Sequence, residues 1–208
     1  MHSRVLKRVF TAVATLAMGV GVMAPALSAA AATEPPFEVV FPQETSKTYF
    51  SSSYGDYRSG GRRHKGNDLM APRMTEVYAV ADGVVLYVGR NRLSGRNIKI
   101  DHDDGWESYY LHLNNDNPGT DDGDAPWSLT IAPGIEEGRQ VKAGQLIAWV
   151  GDSGNAESTA PHTHFELRRD GYAINPYSIL SDAFDREVVQ QEYLEMLLTI
   201  DTSSYPVE

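Results

Sequence analysis

Short alternating runs of apolar and polar residues dominate the chain beyond its first forty positions. Alternation with a period of two places the apolar side chains on one face of a β-strand. Gly, Asp and Asn interrupt the runs, and "HDDG" at 102–105 and "RDG" at 169–171 have the composition of hairpin turns. The pattern predicts an all-β fold, an antiparallel sheet or a two-layer β-sandwich. The strand-forming segments are 76–89, 96–113, 140–154 and 162–175.

The segment 114–137 interrupts this rhythm with a long polar and acidic stretch. Loops of this length inside a domain are usually functional or disordered. Its "DDGD" sequence at 121–124 supplies carboxylates that suit calcium, but the spacing lacks the full EF-hand pattern. We therefore interpret the segment as a solvated acidic insertion.

Residues 181–199 have the apolar spacing of a helix instead of a strand. The segment begins with a Ser-Asp pair that is typical of a helix N-terminus. Its apolar positions are Phe184, Val188, Leu194, Leu197 and Leu198. We expect one C-terminal helix packed on the sheet and then a frayed end, so that 181–208 form a C-terminal helix and tail.

The first 31 residues have the organisation of a secretory signal peptide. A basic start precedes the apolar run "VFTAVATLAMGVGVMAP", and small residues follow it. We expect cleavage near 30–32 and a secreted protein, extracellular or associated with the cell wall. A single membrane anchor is the alternative, although the apolar run is short for a span. The remaining chain is interpreted as a linker at 32–44, a domain at 45–180 and the C-terminal helix.

Composition limits the partners and the chemistry. The chain has 18 basic and 28 acidic residues; three of the basic and none of the acidic ones lie in 1–31, so the mature formal charge is −13. Such a protein is a poor candidate for binding nucleic acid through phosphates. The chain has no cysteine, so a transition-metal site has to use histidines and carboxylates. We expect a monomer with no nucleic-acid partner and no stable membrane anchor after signal cleavage.

Two short motifs form a candidate metal site. His162 and His164 in "PHTHFEL" project to the same face of a strand, although such a pair alone is more often structural. His64 and Asp68 in "HKGND" would lie about 13 Å apart on an extended strand, too far to share an ion. A bend at Gly66, which tolerates unusual backbone angles, would bring them together. Two histidines and one aspartate would leave a fourth zinc position open, as in catalytic sites.

These motifs resemble those of the lysostaphin-type (LytM-like) zinc metallopeptidase family, which are peptidoglycan endopeptidases. "HKGND" is similar to the family's His-x-x-x-Asp motif, and "PHTHFEL" to its His-x-His strand. The linking segments also occur in the family's order: "SYGDYR", "VYAVADGVV", "YLHL", "VKAGQLIAWVGDSGN" and "INPYSIL". The resemblance covers residues 45–180 and implies the two-layer antiparallel β fold of that family.

The resemblance also implies residue roles. The positions that match the zinc ligands are His64, Asp68 and His164, and those that match the catalytic histidines are His112 and His162. One zinc ion would activate a bound water to attack a peptide stem or bridge of bacterial peptidoglycan, with the two histidines as acid and base. Which histidine is the base stays open. Glu166 shares the strand face of His164, where it either orients that ligand or is a solvated residue.

All five matched positions are filled, which favours an active enzyme. The alternative is a non-catalytic peptidoglycan-binding or amidase-activating module of the same fold, in which 114–137 would block the groove. A secreted peptidase for Gly-rich proteins outside the wall is a third hypothesis. Because 114–137 directly follows His112, we expect it to wall or cover the substrate groove.

Two further residues are expected to be structural. His102 lies in the "IDHDDG" hairpin and outside the metal site. Thr163 replaces the Leu that the family usually has between the two histidines, and its side chain should point to the opposite face of the strand.

Overall fold

The computed structural model describes residues 34–203, so the expected signal peptide at 1–31 lies outside the described residues. The strands are β1 (Tyr57–Arg58), β2 (Arg62–Arg63), β3 (Asn67–Met70), β4 (Glu76–Tyr78), β5 (Gly83–Asn91), β6 (Gly95–Asp101), β7 (Trp106–Leu113), β8 (Gln140–Val141), β9 (Leu146–Trp149), β10 (His162–Arg169) and β11 (Tyr172–Ile174). The helix α1 spans Tyr177–Ser203. Short 3₁₀ turns lie at Thr45–Lys47, Ser59–Gly61, Trp127–Leu129 and Gly154–Ala156.

The described strands form one large antiparallel sheet and two small ones. The large sheet has seven strands in the order β11-β10-β7-β6-β5-β8, and β3 pairs with the first half of β10. The expected hairpins β6–β7 and β10–β11 are present. In contrast, β4 pairs with β9 and β5 pairs with β8, so the segments 76–89 and 140–154 each contribute strands to two different sheets.

The core lies between the large sheet and the β4–β9 pair. Tyr110 and Phe165 project from the large sheet, Val77 and Ile147 project from the small one, and all four belong to one buried cluster. Alternating strand positions supply these side chains because successive residues point to opposite faces. The prediction of an all-β fold with one C-terminal helix is confirmed.

The segment expected as a linker at 32–44 is partly a core element. Phe41 is fully buried and its ring lies 5.0 Å from the ring of Phe184 and 5.5 Å from that of Phe50. Gln43 is also buried and forms an isolated β-bridge with Val77. The residues up to 43 therefore close one end of the core, a role that the local sequence does not show because it depends on distant partners.

The helix α1 begins earlier than expected and packs over a shorter length. Asn175 Oδ1 accepts a hydrogen bond from the Tyr177 amide (3.1 Å), so Asn-Pro, and not the later Ser-Asp pair, begins the helix. Leu180 and Ala183 are buried. The apolar positions expected to pack further along are exposed: Leu194, Leu197 and Leu198. Within residues 34–203, no helix has the length and apolar character needed to cross a membrane.

The acidic insertion at 114–137 is built into the domain. Asn114 and Asp116 are almost completely buried, and Ile131 forms a β-bridge with Ala148 of β9. Arg73 supplies a cation, with its Nε 3.0 Å from Asp116 Oδ2 and its Nη2 2.7 Å from Asp121 Oδ1. Only part of the insertion is therefore a solvated loop.

Candidate metal centre and active-site groove

The pairing of β3 with β10 places Asp68 directly opposite His164. Side chains of directly opposed residues in an antiparallel pair project to the same face and lie close together. Asp68 Oδ1 is accordingly 2.9 Å from His164 Nδ1. Two candidate ligands that are 96 positions apart in sequence are thus joined by strand register.

His64 reaches the same point from the segment before β3. Its Nε2 lies 2.9 Å from Asp68 Oδ1 and 2.8 Å from His164 Nδ1. The chain bends at Gly66, as expected, and the glycine also has a second role. A Cβ at Gly66 would lie 1.9 Å from the Phe165 carbonyl oxygen, so the glycine permits close backbone contact with β10.

The three converging atoms all offer electron pairs. His64 Nδ1 donates to the Ser53 carbonyl (2.8 Å), which leaves Nε2 as an acceptor. His164 Nε2 lies 3.2 Å from Glu166 Oε1 and donates to it, which leaves Nδ1 as an acceptor. Three acceptors within 2.9 Å of one another need a positive charge among them, either a proton on a ring nitrogen or a metal ion. Tetrahedral zinc with bonds of about 2.0 Å separates its ligands by about 3.3 Å, so a small opening of this triad fits the ion.

A second layer of contacts orients the triad. Glu166 is 5% exposed, so it is not a solvated strand residue, and Arg168 Nε donates to its second oxygen (2.8 Å). Arg58 Nη2 donates to Asp68 Oδ2 (2.9 Å). Partners of this kind fix the orientation of metal ligands. Of these contacts, the sequence indicated only that of Glu166. Ser53 and Arg58 are the first and last residues of "SYGDYR", and nothing else in the sequence pointed to them.

His112 is turned into the site by a β-bulge. Between the pairs Arg96–Leu113 and Ile98–Tyr110, two β7 residues oppose a single β6 residue, and one of the two is His112. Its φ is 61°, a conformation that is uncommon for residues other than glycine. Bulges and such backbone angles are concentrated at functional sites, where they redirect a side chain.

His162 and His112 face each other beside the triad. Their ring centroids lie 5.2 Å apart, and the His112 ring is 6.0 Å from that of His164. His112 Nδ1 donates to the Ser153 carbonyl and His162 Nδ1 to the Ala160 carbonyl, each at 2.8 Å. In both rings, Nε2 is therefore left to accept a proton.

Burial and charge set the protonation states in the site. Burial lowers the pKa of His112 most, the nearby charges of His162 and His164 add to the effect, and together they bring it to about 4, so the imidazole is neutral near pH 7. Burial raises the pKa of Asp68, but the hydrogen bonds that His164 and His64 donate when protons, and not a metal, lie between the three groups outweigh this effect and hold its pKa well below its usual value. Asp68 is therefore ionised, as a metal ligand needs to be.

A cavity of about 660 Å³ opens over these side chains. His64, Asp68, His112, His162, His164 and Glu166 all line it. Arginines of the β1–β2 hairpin form one wall, and Leu93, Ser94 and Asn155 form the opposite one. No residue of 114–137 lines this cavity, so the insertion does not cover the candidate ligands, but its Asn115 and Gly123 line a second depression beside the groove. His102 lies elsewhere, buried with its Nδ1 donating to the Asp82 carbonyl (2.8 Å).

The fold and this site are those of a metallopeptidase. The model of "Peptidase family M23" matches residues 62–124 and 128–176, more than half of the chain, and the chain belongs to that family. A DD-carboxypeptidase/endopeptidase of Neisseria meningitidis, Mpg, is 36% identical over 118 residues. That match covers 57% of this chain but 23% of the relative, so the chain spans about a quarter of that relative's length.

Solved structures agree with this assignment. A zinc-containing peptidase from Vibrio cholerae is similar with a TM-score of 0.53 and 26% identity, covering 66% of this chain and 39% of that one. The catalytic domain of lysostaphin from Staphylococcus simulans is similar with a TM-score of 0.50 and 29% identity, covering 64% of this chain and 92% of that domain. The resemblance seen in the motifs is confirmed, and the zinc-containing neighbour supports zinc as the metal.

Proposed function

We propose that the chain is a secreted endopeptidase that uses one zinc ion to hydrolyse peptide cross-links of bacterial peptidoglycan. The observation that supports this most strongly is the convergence of three electron-pair donors, His64 Nε2, Asp68 Oδ1 and His164 Nδ1, beside two more imidazoles in one cavity. The names of its relatives support the substrate class, since Mpg is a DD-carboxypeptidase/endopeptidase. The N-terminal segment, with the features of a signal peptide, supports secretion.

The metal and the histidines have separate tasks in this proposal. When bound, zinc supplies Lewis acidity, which acidifies water and polarises the scissile carbonyl. His112 and His162 each present a free Nε2 to the same cavity, where one takes a proton from the attacking water and the other delivers one to the leaving amine. The lowered pKa of His112 leaves its ring neutral near pH 7 and so able to accept a proton.

The lining of the cavity does not support the alternative of a non-catalytic module. That hypothesis needs a blocked groove, and the insertion at 114–137 was its candidate for blocking. Among the residues that line the cavity of the triad, none belongs to this insertion. The cavity is also large enough for a peptide, since small-ligand sites have volumes of about 300–1,000 Å³.

The test is mass spectrometry of fragments released from purified peptidoglycan by the protein that begins near residue 32. Chelator-sensitive release of new peptide ends supports the proposal and identifies the bond, whether a glycine bridge or a D-amino-acid cross-link. Hydrolysis that persists in the chelator rules out the metal. No release from several wall types by zinc-loaded protein supports the non-catalytic module, unless a Gly-rich protein such as elastin is cleaved.

A further inference from the structure

A second depression, of about 380 Å³, lies beside the groove. Its charged lining residues are Arg90 at the end of β5, Arg92 in the following turn and Arg96 on β6. We call it the arginine pocket. The other residues that line it are Asn, Gly and Ser, and no carboxylate is among them. The side chains that line it therefore carry only positive charge.

The cations of the arginine pocket have no anionic partner in residues 34–203. Arg90 and Arg92 are exposed and form no hydrogen bond or ion pair through their side chains there. Arg96 is 7% exposed; it donates to Thr130 Oγ1 and to the Ala125 carbonyl and lies over the Trp127 ring at 4.9 Å, and none of these groups carries a negative charge. A buried charge without a counter-ion is costly.

Mutual repulsion adds to this cost. Burial lowers the pKa of Arg96, and the nearby charge of Arg90 lowers it further, against a smaller opposing effect of Asp116 and Asp124. The chain as a whole has ten more acidic than basic residues, so unpaired arginines gathered in one place are unusual for its surface. An anion bound between Arg90, Arg92 and Arg96 would relieve the repulsion.

The arginine pocket and the groove share a wall. Ser94 lines the groove and Gly95 lines the pocket. Ser153, which also lines the pocket, accepts the His112 Nδ1 hydrogen bond through its carbonyl. The His112 amide donates to the Ser94 carbonyl (3.0 Å). A single segment of backbone therefore separates the groove from the pocket, and the contacts that orient His112 also hold this segment.

The wall is also closely packed. A Cβ at Gly154 would lie 2.2 Å from the Gly95 amide nitrogen, so the two segments touch through their backbones. Because both segments are anchored in this way, the arginine pocket has a fixed position beside Leu93 and Asn155, which line the groove.

We propose that Arg90 and Arg92, supported by Arg96, bind a free carboxylate of the peptide that occupies the groove. Guanidinium groups pair with carboxylates through two parallel hydrogen bonds, which gives direction as well as attraction. The inference rests on the proposed function, because it names the charge that the same site selects in its substrate. A peptide with free acidic groups is then preferred to its amidated form, despite the acidic surface of the protein.

The test compares a stem peptide that has all its carboxylates free with the same peptide in which each is a carboxamide. Calorimetry measures binding of both to the zinc-loaded protein, to Arg90→Gln and to Arg92→Gln. Arg139→Gln is the matched control, because Arg139 is exposed and lines neither cavity, and its substitution removes the same charge.

We expect the wild-type protein and Arg139→Gln to bind the free acid about fivefold more tightly than the amide, and each pocket variant to lose most of that preference. Equal affinities of the wild type for the two peptides, or an equal loss in Arg139→Gln, would overturn the inference. The inference would also be overturned if inorganic phosphate binds to the pocket and the preference for the free acid over the amide stays unchanged.

Cleavage of the same two peptides separates the subsite from the catalytic proposal. A KM ratio that follows the affinities, with the pocket variants affected and Arg139→Gln unaffected, supports both. If neither peptide is cleaved, the proposed function fails, and the binding comparison still decides whether the arginine pocket selects a carboxylate. If both are cleaved with equal KM by the wild type, the subsite is wrong and the catalytic proposal stands.

Discussion

Asp68 and His164 lie directly opposite each other on the antiparallel strands β3 and β10, with Asp68 Oδ1 2.9 Å from His164 Nδ1. The separation of these two candidate ligands is set by backbone hydrogen bonds, not by a flexible loop. Sites built on regular strands hold their ligands more precisely than sites built on loops. Any change that moves β3 along or away from β10 should therefore damage the metal site.

Gly66→Ala should disturb this strand contact directly. The new Cβ would meet the Phe165 carbonyl oxygen at 1.9 Å, so β3 has to move away from β10. We expect destabilisation of about 1–3 kcal/mol, as for other overpacked sites, and a loss of zinc affinity. Chemical denaturation and a competitive chelator titration measure the two effects.

Gly134→Ala is the control for that experiment. Gly134 has a φ of 78° and no atom near the position of a Cβ, so only the backbone preference is lost. A cost of about 1 kcal/mol with unchanged zinc affinity is expected. If Gly66→Ala binds zinc as tightly as Gly134→Ala does, close packing of β3 on β10 is not what positions the ligands.

Glu166→Gln should weaken zinc binding without unfolding the protein. The carboxylate accepts the His164 Nε2 proton and makes the ring a stronger donor to the metal, whereas the amide has no charge. We expect about a tenfold loss of zinc affinity in a competitive titration. Glu107→Gln on the neighbouring strand β7 serves as the control, and equal affinities of the two variants would contradict an orienting role for Glu166.

Thr163→Val should stabilise the protein. Thr163 is fully buried on the face opposite the histidines, as expected from its position, and its hydroxyl has no hydrogen-bond partner among the described residues. Removal of an unsatisfied buried hydroxyl should raise the free energy of unfolding by about 1–2 kcal/mol. Thr130→Val should lower the free energy of unfolding, because it removes the hydroxyl that accepts a hydrogen bond from Arg96. A Thr163→Val protein with a lower midpoint of denaturation would show that the hydroxyl is satisfied after all.

His102 should make the stability depend on pH. Burial lowers its pKa in the folded protein, where the neutral ring donates to the Asp82 carbonyl. Below the ordinary histidine pKa of about 6.5, the unfolded chain therefore binds more protons than the folded protein does. The stability falls as the pH drops through that value. The contribution to the slope is at most about 1.4 kcal/mol per pH unit.

The variant His102→Gln isolates this effect. It should be less stable than the wild type at pH 8, and its free energy of unfolding should change less between pH 7 and 5. Parallel stability curves for the two proteins over that interval would assign the pH dependence to other groups.

Local pattern was enough to predict strands within 76–89, 96–113, 140–154 and 162–175, the two hairpins and the common face of His162 and His164, because a period of two acts over neighbouring residues. The short strands β1, β2 and β3 were not among those predicted. Local pattern was not enough for the pairing of β4 with β9, which depends on contacts between segments about seventy positions apart. The packing of Phe41 and the exposure of Leu194 and Leu198 depend in the same way on where the sheet ends.

Prediction of the site from the sequence was limited in the same way. The motifs named the residues that the structure brings together and indicated the bend at Gly66, but they gave no sign of the close contact of Gly66 with β10 or of the bulge that turns His112 into the groove. The role of the 114–137 insertion was predicted only in part. The segment follows His112 in sequence and lies beside the groove through Asn115 and Gly123, but none of its residues lines the cavity over the candidate ligands.

The division of labour among the histidines is the central claim, and metal content measured together with hydrolysis tests it most directly. His64→Ala removes one of the three converging donors, so it should lose both zinc and activity. His112→Ala leaves the triad intact, so it should retain one zinc per chain while the rate of peptide hydrolysis falls about 10²–10⁴-fold. A His112→Ala protein that loses its zinc as completely as His64→Ala, or that keeps the wild-type rate, would contradict the account.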